Sequence, residues 1–160
     1  VRKKLYDMFR GISGIRDEVA IKHNVRIEVF GPDGELKDFR EIHNLVVNAG
    51  KTQIAKQMSS SLGTAPTHMA VGTGTTAAAA GDTTLQTEID RNAVTSNTSA
   101  SNVQTVVGDW AAGDATNGAI SEAGIFNAAA AGTMTARAVF TAIPKGASDT
   151  LKITWTITYG

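Results

Sequence analysis

The segment Thr150–Tyr159 constrains this chain most. Leu151, Ile153, Trp155, Ile157 and Tyr159 alternate with Lys152, Thr154, Thr156 and Thr158. A strict period of two puts the apolar set on one face of a strand and the polar set on the other. The pattern recurs near the start, where Val25, Ile27 and Val29 alternate with Arg26 and Glu28. Gly31-Pro32-Asp33-Gly34 then supplies a turn: proline fixes φ, the aspartate bonds the local backbone, and glycine accepts positive φ. A return strand through Leu36, Phe39 and Ile42 completes a predicted hairpin over residues 23–43, with charged outer positions that suit an edge. His68–Val71 reads as a short strand. Residues 91–98 with 102–110, and 118–127 with 132–141, read as two further strand pairs. The expectation is a mainly β fold, an antiparallel β-sandwich or a small jelly-roll-like barrel.

One helix is expected in this domain, over residues 48–62. Asn48 stands as its N-cap, Ile54, Met58 and Leu62 share a face, and Gly63 and Pro66 end it. Trp110, Trp155, Phe126 and Phe140 must carry much of the core, because aromatics are few. At 160 residues the chain suits one compact domain with a short appendage.

The appendage is residues 1–22, where Leu5, Met8, Phe9, Ile12 and Ile15 fall at helical spacing interrupted by Gly11 and Gly14. Charge is uneven. Residues 1–26 hold seven basic and three acidic side chains, against eight and twelve in the remainder. This predicts a basic arm, 1–22, in front of a β-rich domain, 23–160, made of the hairpin, the helix and the strands of 67–160. Arg2, Lys3, Lys4, Leu5, Met8, Phe9, Arg10 and Ile12 are the candidate partner-binding residues, facing an acidic surface. A solvated helix face explains the same charges equally well. Nucleic acid is not expected, because the basic run is short and the body has no basic stripe.

Candidate chemistry is thin. Gly72-Thr73-Gly74-Thr75-Thr76-Ala77 matches the dinucleotide pattern G-x-G-x-x-A after a strand, with Glu88 and Asp90 downstream. That chemistry needs a helix opening at the loop to face the pyrophosphate. Gly81-Asp82 follows after a run of alanines, so a close-packed loop of small residues is the preferred reading. A nucleotide-cofactor enzyme is the lesser alternative. His23, His43 and His68 have no metal-motif spacing. Glu122 and Asp109 could form an acid–base pair, but nothing in the sequence brings them together. Ser121 lacks a nucleophile-elbow setting, and Asn97-Thr98-Ser99 reads as turn chemistry. No cofactor and no metal are expected. Cysteine is absent, so no disulfide is available. No apolar stretch suits a membrane helix or a signal peptide.

Three segments in order, THMAVGTG at 67–74, LQTEIDRNA at 85–93 and AISEAGIFN at 119–127, together resemble the N-terminal anchoring region of phage tail-fibre and tail-collar proteins. Thr67–Gly74 (THMAVGTG) is similar to the family's ITHIAVGTG. Leu85–Ala93 (LQTEIDRNA) is similar to its L-x-x-E-x-x-R-x-A, and Ala119–Asn127 (AISEAGIFN) to xIREAGLFN. Thr133–Arg137, Ile143-Pro144-Lys145 and the closing strand continue in family order, over about three-quarters of the chain. Ser121 departs from the pattern, standing where the family has arginine. Arg91, Glu122, Gly124, Phe126, Pro144 and Trp155 are the structural signature that the resemblance implies. Glu122 is expected to bond backbone N–H groups, Arg91 or Arg137.

The resemblance implies a non-enzymatic virion structural protein, assembled in the bacterial cytoplasm with other capsid or tail proteins. A homo-oligomer is expected, with a trimer favoured. Family members continue into a long shaft, whereas this sequence ends at Gly160. That favours a capsid decoration (cement) protein over a tail-fibre, collar or baseplate component, which remains the alternative.

Overall fold

The computed structural model describes residues 20–59, 63–116 and 118–160. They form two five-stranded antiparallel sheets packed as a sandwich, with one short helix. The first sheet contains β1 (Ile21–Phe30), β2 (Leu36–Ile42), β6 (Ser96–Ala100), β7 (Val103–Trp110) and β10 (Thr150–Tyr159), in the order β2-β1-β10-β7-β6. The second contains β3 (Leu45–Val46), β4 (His68–Gly72), β5 (Glu88–Ala93), β8 (Ile120–Phe126) and β9 (Met134–Ile143), in the order β3-β9-β8-β4-β5. The helix, α1, is Asn48–Met58.

β10 is the middle strand of its sheet. Ile21 to Phe30 run opposite Tyr159 to Thr150 on one side, and Val103 to Trp110 run opposite Thr158 to Leu151 on the other. Both of its neighbours are long, so the alternation in its sequence is rigidly registered. Leu151, Ile153, Trp155 and Ile157 point into the core with Val25, Ile27, Val29, Val106 and Trp110. Met69, Val71, Ala123, Ile125, Ala136 and Ala138 meet them from the second sheet. Small residues on this side let the large indoles of Trp110 and Trp155 fit between the sheets.

The second sheet is covered on both faces. On its outer face Val47, Ala70, Leu85, Phe126 and Met134 form a smaller apolar cluster beneath α1 and the loop 73–87. Phe126 therefore belongs to this outer cluster, while Trp110 and Trp155 fill the inter-sheet core. Gly50 lets the helix lie close, because a Cβ there would stand 2.0 Å from the Thr135 carbonyl oxygen.

Four expectations need correction. The span 91–98 is two strands in different sheets, β5 and β6. The chain crosses at Val94-Thr95, whose N–H groups bond the carbonyls of Thr67 and Val107. Asn97 accordingly lies within strand β6, and the turn falls at Ser101-Asn102. The N-cap is Val47, extended at φ −74° and ψ 161° with no side-chain cap; Asn48 is inside the helix and donates its N–H to Ala80 O. The helix ends at Met58, with Ser59 as its C-cap; of its expected apolar face Met58 is 84% exposed, Leu62 lies outside the described residues, and Gly50 is the one buried residue of α1. The hairpin ladder, Val25–Phe30 against Leu36–Ile42, falls within the expected 23–43, but strand β1 itself begins at Ile21, where Ile21 and Lys22 pair with Tyr159 and Thr158 of β10. The arm candidates Arg2, Lys3, Lys4, Leu5, Met8, Phe9, Arg10 and Ile12 lie outside the described residues.

Candidate functional site

Glu122 organises the most polar part of the interior. It sits on β8 with Gly124 and Phe126 on the same face, as their spacing of two requires. Its carboxylate is fully buried and every lone-pair direction is used. Oε1 accepts the N–H groups of Gly74 at 3.0 Å and Thr87 at 2.7 Å. Oε2 accepts Gln86 N–H at 3.0 Å and the Arg137 guanidinium at 3.0 Å (Nε) and 2.8 Å (Nη2). Arg137, only 3% exposed, spends its remaining donors on Asp82 Oδ2 at 2.8 Å and Thr76 O at 3.1 Å. Burial alone would raise the Glu122 carboxyl; the N–H groups of Thr87 and Gln86, then Arg137 and Gly74, outweigh it and hold it below the usual carboxylate range. Arg137 is raised: burial opposes its charge, but Asp82 and Glu122 overcome that.

The Gly72–Ala77 loop is explained by this carboxylate. A Cβ on Gly72 would stand 2.3 Å from Thr87 O and 2.6 Å from Glu122 Oε1, and one on Gly74 would stand 2.4 Å from the same oxygen. The glycines make room for an internal anion. Gln86 continues the arrangement, accepting the N–H groups of Thr75 and Thr76 at 2.9 Å each, and Ser121 Oγ donates to Gly74 O at 2.9 Å. No helix follows Gly74 before β5. The loop therefore lacks the element that a pyrophosphate site needs, and its Gly74 N–H is already taken.

Arg91 does not reach Glu122. From β5 it pairs with Glu88, donates to the carbonyls of Ala128 (3.1 Å) and Ala131 (2.9 Å), and stacks 3.7 Å above the Phe126 ring. It thereby ties an edge strand to the β8–β9 turn. The signature residues thus divide. Glu122, Gly124, Phe126 and Arg91 share the outer face of the second sheet. Trp155 lies in the inter-sheet core, and Pro144 is exposed just after β9. Asp109, on β7, accepts from Thr95 and is not paired with Glu122.

The histidines stay apart in role. His23 is buried, with Trp155 Nε1 donating to its Nδ1 at 3.3 Å. An indole can only donate, so Nδ1 is the unprotonated nitrogen. Burial pushes this imidazole down to about 4. His43 Nδ1 lies 3.0 Å from His23 O, and His68 Nδ1 lies 2.9 Å from Thr67 Oγ1. Among the described residues no cluster of His, Asp and Glu could hold a metal, and no helix is long and apolar enough to cross a membrane.

Sequence reasoning missed Asp82 and Gln86, and a second ionic cluster. Lys145 is buried and donates to the carbonyls of Ala111 and Asp114, while the nearby buried Asp149 pairs with Lys37. Only the placement of Asp82, directly after Gly81 and six residues before β5, hinted at a fixed role. Comparison with family models, with curated proteins and with solved structures returned no match to this chain.

Proposed function

We propose that this chain is a non-enzymatic structural protein of a tailed-phage virion, a capsid decoration protein that binds and stabilises the shell through its body and its N-terminal arm. One observation carries the reading. The segments that resemble the tail-fibre anchoring region supply the parts of a single interlocking construction. THMAVGTG provides β4 and the Gly74 N–H, LQTEIDRNA provides the Gln86 and Thr87 N–H groups and Arg91, AISEAGIFN provides Glu122 and Phe126, and TMTAR provides Arg137. A resemblance made of residues that hold one another in place is a resemblance of a whole module. It supports the module's role in virion attachment rather than a borrowed motif. Homo-oligomerisation, with a trimer favoured, belongs to the same proposal.

The second reading is a tail-fibre, collar or baseplate attachment protein, favoured because the resembling segments are those of tail proteins. Immunogold labelling with an antibody to the body separates the two. Gold over the shell of purified particles supports decoration, and gold confined to the tail supports the alternative. Particles unlabelled both intact and disrupted would overturn both.

A further inference from the structure

β2 is one edge of the first sheet, and among the described residues it pairs only with β1. An edge strand turns half of its backbone N–H and C=O groups outward, where another strand can take them. Alternation says which ones. Ala20 O, just before β1, accepts the Gly160 N–H, so the even-numbered residues of β1 face β10 and the odd-numbered ones face β2. Val25, Ile27 and Val29 stand opposite Ile42, Arg40 and Asp38, which therefore face back to β1. Phe39 and Glu41 turn their backbone groups to the open side. In the single chain the neighbours of Phe39 close that side. Phe39 N–H donates to Asp38 Oδ1 at 2.9 Å, and Phe39 O accepts Arg40 Nη1 at 2.7 Å. Asp38 and Arg40 are themselves ion-paired, and Arg40 also reaches the carbonyls of Thr141 and Ala142 on β9, at 3.3 Å each.

The order of charges says what this edge accepts. Lys37-Asp38-Phe39-Arg40-Glu41 is its own complement when laid antiparallel on itself about Phe39. Lys37 then opposes Glu41, Asp38 opposes Arg40, and Phe39 meets its own copy. Opposite charges facing across strands stabilise a pairing, and like charges oppose it. The neighbouring registers all bring like charges together: Asp38 onto Glu41, Lys37 onto Arg40, or Asp38 or Arg40 onto itself. The surface is exposed as such a contact requires, with Phe39 48% and Leu36 45% accessible. We infer that β2 is a self-pairing strand, whose partner is β2 of a second copy related by a two-fold axis at Phe39, and that the Asp38–Arg40 clip holds this edge closed in the single chain. On pairing, Phe39 N–H and O exchange the two side chains for the O and N–H of the same residue in the copy. Asp38 and Arg40 exchange each other for their counterparts across the axis. The inference does not rest on the virion reading. A two-fold contact joins copies in pairs, so it cannot build a trimer but can link one trimer to another.

Charge-swapped variants of the full chain test it, read by sedimentation over a range of protein concentrations. The unaltered chain should associate reversibly. Lys37→Glu alone and Glu41→Lys alone each set like charges across the axis, and each should weaken association by about tenfold. An equimolar mixture of the two restores both opposite pairs and should recover the parent's association, which local damage in either variant cannot do. The native chain has no cysteine, so a single introduced thiol reports proximity. Residues at the centre of such a pair stand ~5.5 Å apart at Cα, within disulfide reach. Phe39→Cys should therefore cross-link two copies several-fold faster than Thr98→Cys, on β6 at the opposite edge of the same sheet. A parent chain that shows no association at any concentration would overturn the inference. So would a mixture that associates no more tightly than its components, or equal cross-linking rates at the two edges.

Discussion

Glu122 shows how one side chain fixes a large stretch of loop. It collects three backbone N–H groups and an arginine from elements far apart in sequence, so replacing one of its oxygens by an amide NH2 sets a donor against buried donors and leaves Arg137 without its buried counter-charge. Glu122→Gln should destabilise the fold by about 3–5 kcal/mol, the usual cost of breaking a buried ion pair from one side. Denaturant unfolding measures it; an unchanged midpoint would remove the physical role assigned to this carboxylate. Trp155→Ala should cost a similar ~3–5 kcal/mol by leaving a cavity between the sheets. A Trp155→Ala protein that melts near the parent temperature would contradict the packing described. The two titrations act in different pH windows. The Glu122 carboxyl lies below its ordinary 4.5, so its contribution is present above that value and is lost as pH falls through the lowered one. His23 lies at about 4 against an ordinary 6.5, so the unfolded chain binds the proton first. The His23 contribution should therefore fall as pH drops from 6.5 towards 4 and level off below, where the loss through the Glu122 carboxyl takes over. His23→Gln should flatten that decline, whose slope cannot exceed ~1.4 kcal/mol per pH unit for one proton. Unfolding curves across this range for both proteins check the sign.

At the scale of elements, what alternates was legible and what crosses was not. β10 was visible to its last residue, because both of its faces are specified by side chains of opposite kind. The hairpin β1–β2 was visible for the same reason, together with its turn. β5 and β6 were read as one strand because Asn92, Thr95, Ser96 and Asn97 carry no apolar rhythm, and the crossing between sheets is marked only by backbone hydrogen bonds. Met58 was placed on a packed face because periodicity reports which residues share a side, not whether anything covers it. The loop 73–87 was read as close-packed small residues, which fits the contacts of Gly72 and Gly74, but its partner was invisible. A carboxylate forty-eight residues away in sequence from Gly74 leaves no local signal. Gly74→Ala should test this element. The added methyl would meet the Glu122 carboxylate, so the loop must shift, and the variant should lose protection of the Thr75 and Thr76 amides in hydrogen exchange.

At the scale of the molecule, both five-stranded sheets, the Glu122–Arg137 pair and two apolar clusters are formed by residues from Ile21 onward. A chain beginning at Ala20 should therefore fold and remain soluble, while losing whatever the preceding segment binds. Residues 1–22 carry six basic and three acidic side chains, and attraction to an acidic surface would be screened over roughly 8–10 Å at ordinary salt. The apolar residues of the segment would hold on regardless, so added salt should weaken attachment only in part. The direct test is cosedimentation with phage particles produced without this protein, using the full chain and the chain from Ala20. The account predicts that the full chain pellets with the particles, partly resisting raised salt, and that the folded shortened chain stays in the supernatant. A full chain that stays in solution, or a shortened chain that pellets at full occupancy, would contradict it.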